Sequence, residues 1–222
     1  MTLSFHFFNF PQQAAFGKIL PKSKIYEFSK PSNAIKDLFV KQVEQVIWEY
    51  KLSPETTNIS AGDGVQEIQI LKIQSKVVEI DENVLRTIDD AIPSHIFYVI
   101  VFGNKKKLIA AYKRQSEADS GKWVTGSYFQ SDWVTASESG INLPIALNMG
   151  GLYAQMLRSI MPVEHKEGES LKAQAERLDQ LRLKNGELVK LEIKLAKEKQ
   201  FNRKIEINAQ LKKIKNQIIQ LT

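Results

Sequence analysis

Cysteine is absent from all 222 residues. That excludes disulfides, thiolate metal sites and a cysteine nucleophile, and with them a disulfide-stapled secreted scaffold. Histidine is nearly absent too. His6, His95 and His165 stand far apart, and none has a second ligand at metal-binding spacing. The longest apolar run, near Ile96–Phe102, falls well short of the roughly 20 residues that span a bilayer. The opening Met1-Thr2-Leu3-Ser4-Phe5-His6 lacks the basic start and apolar stretch of a signal peptide. A cytoplasmic protein with no membrane partner is therefore expected. Also missing are a Gly-Lys-Ser/Thr loop, a Gly-x-Gly-x-x-Gly turn and a Gly-x-Ser-x-Gly elbow, which argues against an NTPase, a dinucleotide enzyme and a serine hydrolase. Gly62-Asp63-Gly64 precedes a strand pattern instead of a helix. Gly150-Gly151 lies inside a helical pattern, where close packing explains it.

What is present is a globular composition, 43% hydrophobic and 9% aromatic. The net charge is +6, unevenly spread. Residues 1–163 carry 17 basic and 16 acidic side chains, whereas residues 164–222 carry 14 and 9. A basic tail attracts phosphate polymers or acidic proteins.

Periodicity predicts the elements. Phe5, Phe7, Phe8 and Phe10 alternate with polar residues, as in a short strand. Between Pro31 and Pro54, Ile35, Leu38, Phe39, Val43, Val46, Ile47 and Tyr50 recur at helical spacing, capped by Ser32 or Asn33. Val65–Ile73 alternates as a strand, and Asp81 caps a helix running to Ala91. Ile96–Phe102 is β-branched and aromatic throughout, as a buried strand requires. Lys107–Tyr112 returns antiparallel after Gly103-Asn104, with Lys122–Phe129 and Trp133–Thr135 extending the sheet. Ile145–Met161 reads as a second long helix. The polar stretch 163–170 marks a boundary.

Beyond it, Leu171, Leu178, Leu181, Leu188 and Leu195 step by sevens and threes, and Ile207, Leu211, Ile214, Ile218 and Leu221 by fours and threes. The two stripes fall out of phase near Phe201-Asn202. A stutter or an antiparallel helical hairpin accounts for the break. The expected architecture is an α/β or α+β domain (1–163) with a mixed, largely antiparallel sheet and flanking helices, followed by a basic coiled-coil or hairpin tail (164–222).

Several segments carry a family likeness: Pro21-Lys22, Lys41–Leu52, Asp89-Asp90-Ala91-Ile92-Pro93, Ala110-Ala111-Tyr112-Lys113-Arg114 and Glu198–Lys204. Together they resemble an uncharacterised prokaryotic family known as domain of unknown function 4391, over nearly the whole chain. The resemblance implies a companion of DNA helicases and methyltransferases in restriction or phage-defence gene clusters. It supplies no catalytic motif to place on these residues.

Three functions follow. An accessory subunit would dock through the helical tail onto a helicase or methyltransferase subunit, or self-associate. A divergent metal-dependent nuclease would need acids near a lysine, with Glu67, Asp89, Asp90 and Lys113 as candidates and Mg²⁺ as its only cofactor. The acid expected two places before Lys113 is Ala111, so that motif is broken. A non-enzymatic DNA binder would use Tyr112, Lys113, Arg114, Lys122 and Trp123 in the domain. Its tail would add Lys197, Lys199, Arg203, Lys204, Lys212, Lys213 and Lys215. The first reading is preferred, with no cofactor and no metal. Three acids gathered around Lys113 would favour the nuclease, and a single paired acid would favour the accessory subunit.

Overall fold

The computed structural model describes residues 7–119 and 121–222. The chain divides into two compact units, Met1–Pro162 and Val163–Thr222. Phe5 and His6 lie outside the described residues.

The first unit is built on a seven-stranded sheet. Its strands are β2 (Ala15–Ile19), β3 (Val43–Leu52), β4 (Ile68–Ser75), β5 (His95–Phe102), β6 (Lys105–Gln115), β7 (Trp123–Gln130) and β8 (Val134–Thr135). The order is β2-β3-β4-β5-β6-β7, with β8 also beside β6. Only β4 and β5 pair in parallel; every other pair in this sheet is antiparallel. The sheet is thus mixed and largely antiparallel, as expected. Two short strands, β1 (Phe8–Asn9) and β9 (Ile141–Asn142), pair separately.

The parallel step needs a crossover, and α4 (Glu82–Ala91) supplies it. Asp81 caps α4 by accepting from the Asn83 N–H at 2.9 Å. Val84, Leu85 and Ile88 go into the core, and Pro93 disfavours a longer helix. α1 (Lys22–Ser29) and α2 (Asn33–Gln42) join α4 on the same face, where Ile25 and Phe39 meet Leu71, Ile73, Tyr98, Ile109 and Tyr128. The other side chains of β5 alternate to the opposite face. There Phe97 meets Tyr153 of α5 (Met149–Arg158) at a ring separation of 5.9 Å. A one-turn helix, α3 (Pro54–Thr57), follows β3.

Two expected helices are shorter than the periodicity suggests. The helical stretch between Pro31 and Pro54 ends at Gln42, and Val43, Val46, Ile47 and Tyr50 belong to β3. Those residues are β-branched or aromatic, and both neighbouring strands saturate their backbone, so sheet pairing overrides a weak helical period. The helix expected over Ile145–Met161 begins at Met149, because Asn148 caps it by accepting from Gly151 N–H at 2.8 Å. Ile145 and Leu147 are therefore left in solvent. The strand expected over Val65–Ile73 begins at Ile68 instead. The preceding Gly62-Asp63-Gly64 forms a tight turn that bridges Gly62 to Val65. That turn explains Gly150: a Cβ there would lie 2.5 Å from the Asp63 Cβ.

The second unit is a helical hairpin of α6 (Leu171–Lys197) and α7 (Phe201–Leu221). The phase break is thus a reversal of direction at 198–200. Arg177 near the start of α6 bonds the Leu221 carbonyl at the end of α7, at 2.6 Å, which fixes the helices antiparallel. Leu178, Leu181, Ile207 and Leu211 are buried. At the hairpin base Arg177 grips Glu169 with two hydrogen bonds, 2.7 and 2.8 Å, and also bonds the Glu164 carbonyl at 2.8 Å. Arg177 holds the Glu169 carboxyl down to about 2. Among the described residues, no helix is long and apolar enough to cross a membrane.

Candidate functional site

The most electrostatically loaded place in the first unit lies where β6 meets the end of α4. It begins with an irregularity. Ala111 pairs with Tyr128 and Lys113 with Thr125, so Gly126 and Ser127 on β7 oppose Tyr112 alone. This is a β-bulge, and it locally re-aims the strands. The bulge is supported on both sides. The Tyr153 hydroxyl accepts from the Lys113 N–H and donates to the Ala111 carbonyl, both at 2.9 Å. Arg86 on α4 donates to the Thr125 and Gly126 carbonyls at 3.4 and 3.3 Å. A Cβ at position 126 would lie 3.2 Å from the Tyr112 carbonyl oxygen, so glycine suits this crowded position.

Lys113 is 1% exposed. Its ammonium donates to Asp89 Oδ1 at 3.0 Å, to the Asp89 carbonyl at 2.8 Å and to the Ile92 carbonyl at 2.6 Å. An ammonium has three protons, and all three are used. Two of the acceptors are carbonyls at the C-terminal end of α4, which carry no helical partner and sit at the negative end of the helix dipole. Lys113 is thus a cap supplied by a neighbouring strand. The second Asp89 oxygen accepts from the Tyr128 hydroxyl. Burial raises the Asp89 pKa above the ordinary carboxylate value, while Lys113 and the tyrosine oppose that rise. Burial lowers the Lys113 pKa, and Asp89 opposes it.

The cluster extends through aromatic rings. Trp123 lies 5.4 Å from the Lys113 ammonium. His95 packs between Trp123 at 5.1 Å and Tyr153 at 4.4 Å. Burial first, and the Lys113 charge second, bring the His95 pKa down to about 4, so it is a neutral ring near pH 7. A surface recess of about 410 Å³ adjoins this cluster, lined by Phe28, Asp89, Asp90, Pro93, Lys122 and Trp123 among others.

The structure brings together only some of the residues singled out from sequence. Asp89, Lys113 and Trp123 meet. Asp90 is exposed at the recess. Glu67 pairs with Lys51 at 2.5 Å and accepts from Gln69. Arg114 turns to Glu117 at 3.6 Å, and Lys122 to Asp119 at 3.1 Å. Tyr112 sits opposite the bulge. Among the described residues, no group of three or more His, Asp or Glu is arranged to hold a metal. Sequence reasoning missed Tyr98, Tyr128 and Tyr153. Their hydroxyls are polar marks on otherwise apolar faces, and that was the available signal.

A second place of interest is the stretch from the last turns of α6 through the middle of α7, the distal part of the hairpin around its 198–200 turn. Lys197, Lys199, Arg203, Lys204, Lys212, Lys213 and Lys215 are all exposed there. Lys215 lies 3.8 Å from Glu192.

A family model described as domain of unknown function (DUF4391) matches residues 8–218. The chain belongs to this family. The match runs from β1 through most of α7, so both units fall within the family's span. Comparison with curated proteins and with solved structures finds no match.

Proposed function

We propose that this member of the DUF4391 family is an accessory subunit that docks through its helical hairpin onto a helicase or methyltransferase subunit of a restriction or phage-defence system. The observation that carries the reading is apolar surface left over after the hairpin has closed. Leu178, Leu181, Ile207 and Leu211 are buried, yet Val189, Ile193, Phe201 and Ile205 are each more than half exposed. Exposed apolar surface in water favours association with a partner, and a helical pair presenting such residues is a common docking device.

The nuclease alternative needs a lysine free to polarise water beside a metal held by several acids. Lys113 has spent every proton on α4, and one acid, Asp89, reaches it. That arrangement fits a structural staple. DNA contact through the exposed lysines remains a secondary role in this reading.

The test is co-expression with a helicase or methyltransferase encoded beside the gene, followed by size-exclusion chromatography. Co-elution that is lost in a Val189→Glu/Phe201→Glu variant supports the subunit. Separate elution of the wild-type chains overturns it. Mg²⁺-dependent cleavage of supercoiled DNA by the purified chain alone would restore the nuclease.

A further inference from the structure

The positive charge of the hairpin is concentrated between the last two turns of α6 and the middle of α7. Residues 163–189 hold five basic and six acidic side chains, whereas residues 190–215 hold nine and three. The excess of six cations in the distal segment equals the net charge of the whole chain. All nine cations are exposed. The acids there are partly committed: Glu198 accepts the N–H groups of Lys199 and Gln200 at 2.8 Å, and Glu192 faces Lys215.

Four of the hairpin's exposed large apolar residues belong to this same stretch; Leu183 and Ile219, 68% and 70% exposed, lie nearer the base. Val189 and Ile193 are one turn apart on α6, 53% and 51% exposed. Phe201 and Ile205 are one turn apart on α7, 74% and 54% exposed. They flank the 198–200 turn that joins the helices.

This combination selects among occupants. A phosphate backbone would answer the cations but leave three aliphatic side chains in water, since only Phe201 offers a ring for stacking. A second copy would cover the apolar residues but set nine cations against nine, and like charges across an interface are costly. An acidic amphipathic helix satisfies both features. We infer that the distal half of the hairpin is a docking site for such a helix on a partner protein, with apolar residues at i and i+4 flanked by Asp and Glu. This inference rests on the accessory-subunit reading and specifies the chemistry of its contact.

Fluorescence anisotropy on the full chain tests it with three labelled probes. One is a helical peptide on the order of 20 residues with leucines at i, i+3, i+4 and i+7 and glutamates elsewhere. The second replaces every glutamate by lysine, and the third is a duplex DNA of similar length. The glutamate peptide should bind at least about tenfold more tightly than either other probe. Ile193→Glu/Phe201→Glu and Lys194→Glu/Arg203→Glu should each weaken it by about tenfold or more. These positions are exposed, so unchanged helical circular dichroism shows that the variants fold. Equal binding of both peptides, tighter binding of DNA, or no binding of the glutamate peptide overturns the inference. If a helicase or methyltransferase still co-elutes with variants that have lost the peptide, the docking chemistry is wrong and the subunit role stands. If the peptide binds as stated and no such subunit co-elutes, the site stands and the subunit role falls.

Discussion

Lysine is used in opposite ways in the two units. In the first, Lys107 and Lys113 on β6 are each 1% exposed. Lys107 bonds Glu79 at 2.7 Å and Gln130 at 2.9 Å and lies over the Trp133 ring, while Lys113 is consumed by α4. In the distal hairpin every lysine is in water. A buried ammonium has lost its hydration and must recover it from fixed acceptors. An exposed one keeps its hydration and remains available to a partner. The same residue type therefore reports internal architecture in one unit and unspent binding capacity in the other, and only burial distinguishes them.

The sharpest way to break the comparison is to strand the buried charge. Asp89→Ala leaves the Lys113 ammonium without its counterion and should cost about 3–5 kcal/mol of unfolding free energy. The double variant Asp89→Leu/Lys113→Met should recover part of that loss, because it removes both charges but leaves the Tyr128 hydroxyl and the α4 carbonyls without these partners. Urea unfolding followed by tryptophan fluorescence reads the first unit selectively, since Trp48, Trp123 and Trp133 all lie there. An unchanged midpoint in Asp89→Ala would show that the pair is not a staple.

Acid separates the units next. His95 takes its proton near 6.5 in the unfolded chain and only near 4 when folded. A depressed value means that its contribution is fully present above about pH 6.5 and is lost as pH falls to about 4, by about 3 kcal/mol at most. His95→Phe should flatten that slope in the fluorescence-monitored stability. The hairpin responds lower. Glu169 shifts from 4.5 to about 2, so its contribution is present above 4.5 and is lost as pH falls toward 2. Helical circular dichroism, with a large share from α6 and α7, should therefore outlast the tryptophan signal on acidification.

Smaller effects belong to the hairpin. Arg177→Ala removes the guanidinium that joins Glu169, the Glu164 carbonyl and the Leu221 carbonyl, and should cost about 2 kcal/mol. Amide exchange in the last turn of α7 should speed up first. Gly186 lies inside α6 with open space where a Cβ would go. Gly186→Ala should stabilise the helix by about 0.5–1 kcal/mol, seen as a small rise in its thermal midpoint.

Much of the fold was legible in the sequence. β5 is a seven-residue β-branched and aromatic run extended by His95, and α4 has its Asp81 cap and Pro93 stop. The heptad stripes of α6 and α7 broke where the chain reverses. The β3 segment misled because Val43, Val46, Ile47 and Tyr50 are spaced as on a helix, while their β-branched and aromatic side chains suit a strand; the decision rests with β2 and β4, which are remote in sequence. The site was legible only in part. Asp89 and Lys113 could be named as chemistry-bearing residues, but their pairing spans 24 positions and depends on a bulge held by Tyr153, 40 positions away. No local pattern encodes that.

One edge of the seven-stranded sheet is β2, hydrogen-bonded on one side to β3. Its pairing slips between Ala15 and Lys18, and between them Gly17 adopts a left-handed φ of 62°. An edge with a kink and a lysine offers a poor template to another strand, although Phe16 and Ile19 stand exposed along it. Gly17 thereby acts as a terminator against lateral growth. Nothing lies where a Cβ would go, so a β-branched residue there would meet no clash and would pull the backbone back toward extended geometry. The edge it straightened would be open to end-on recruitment into aggregates.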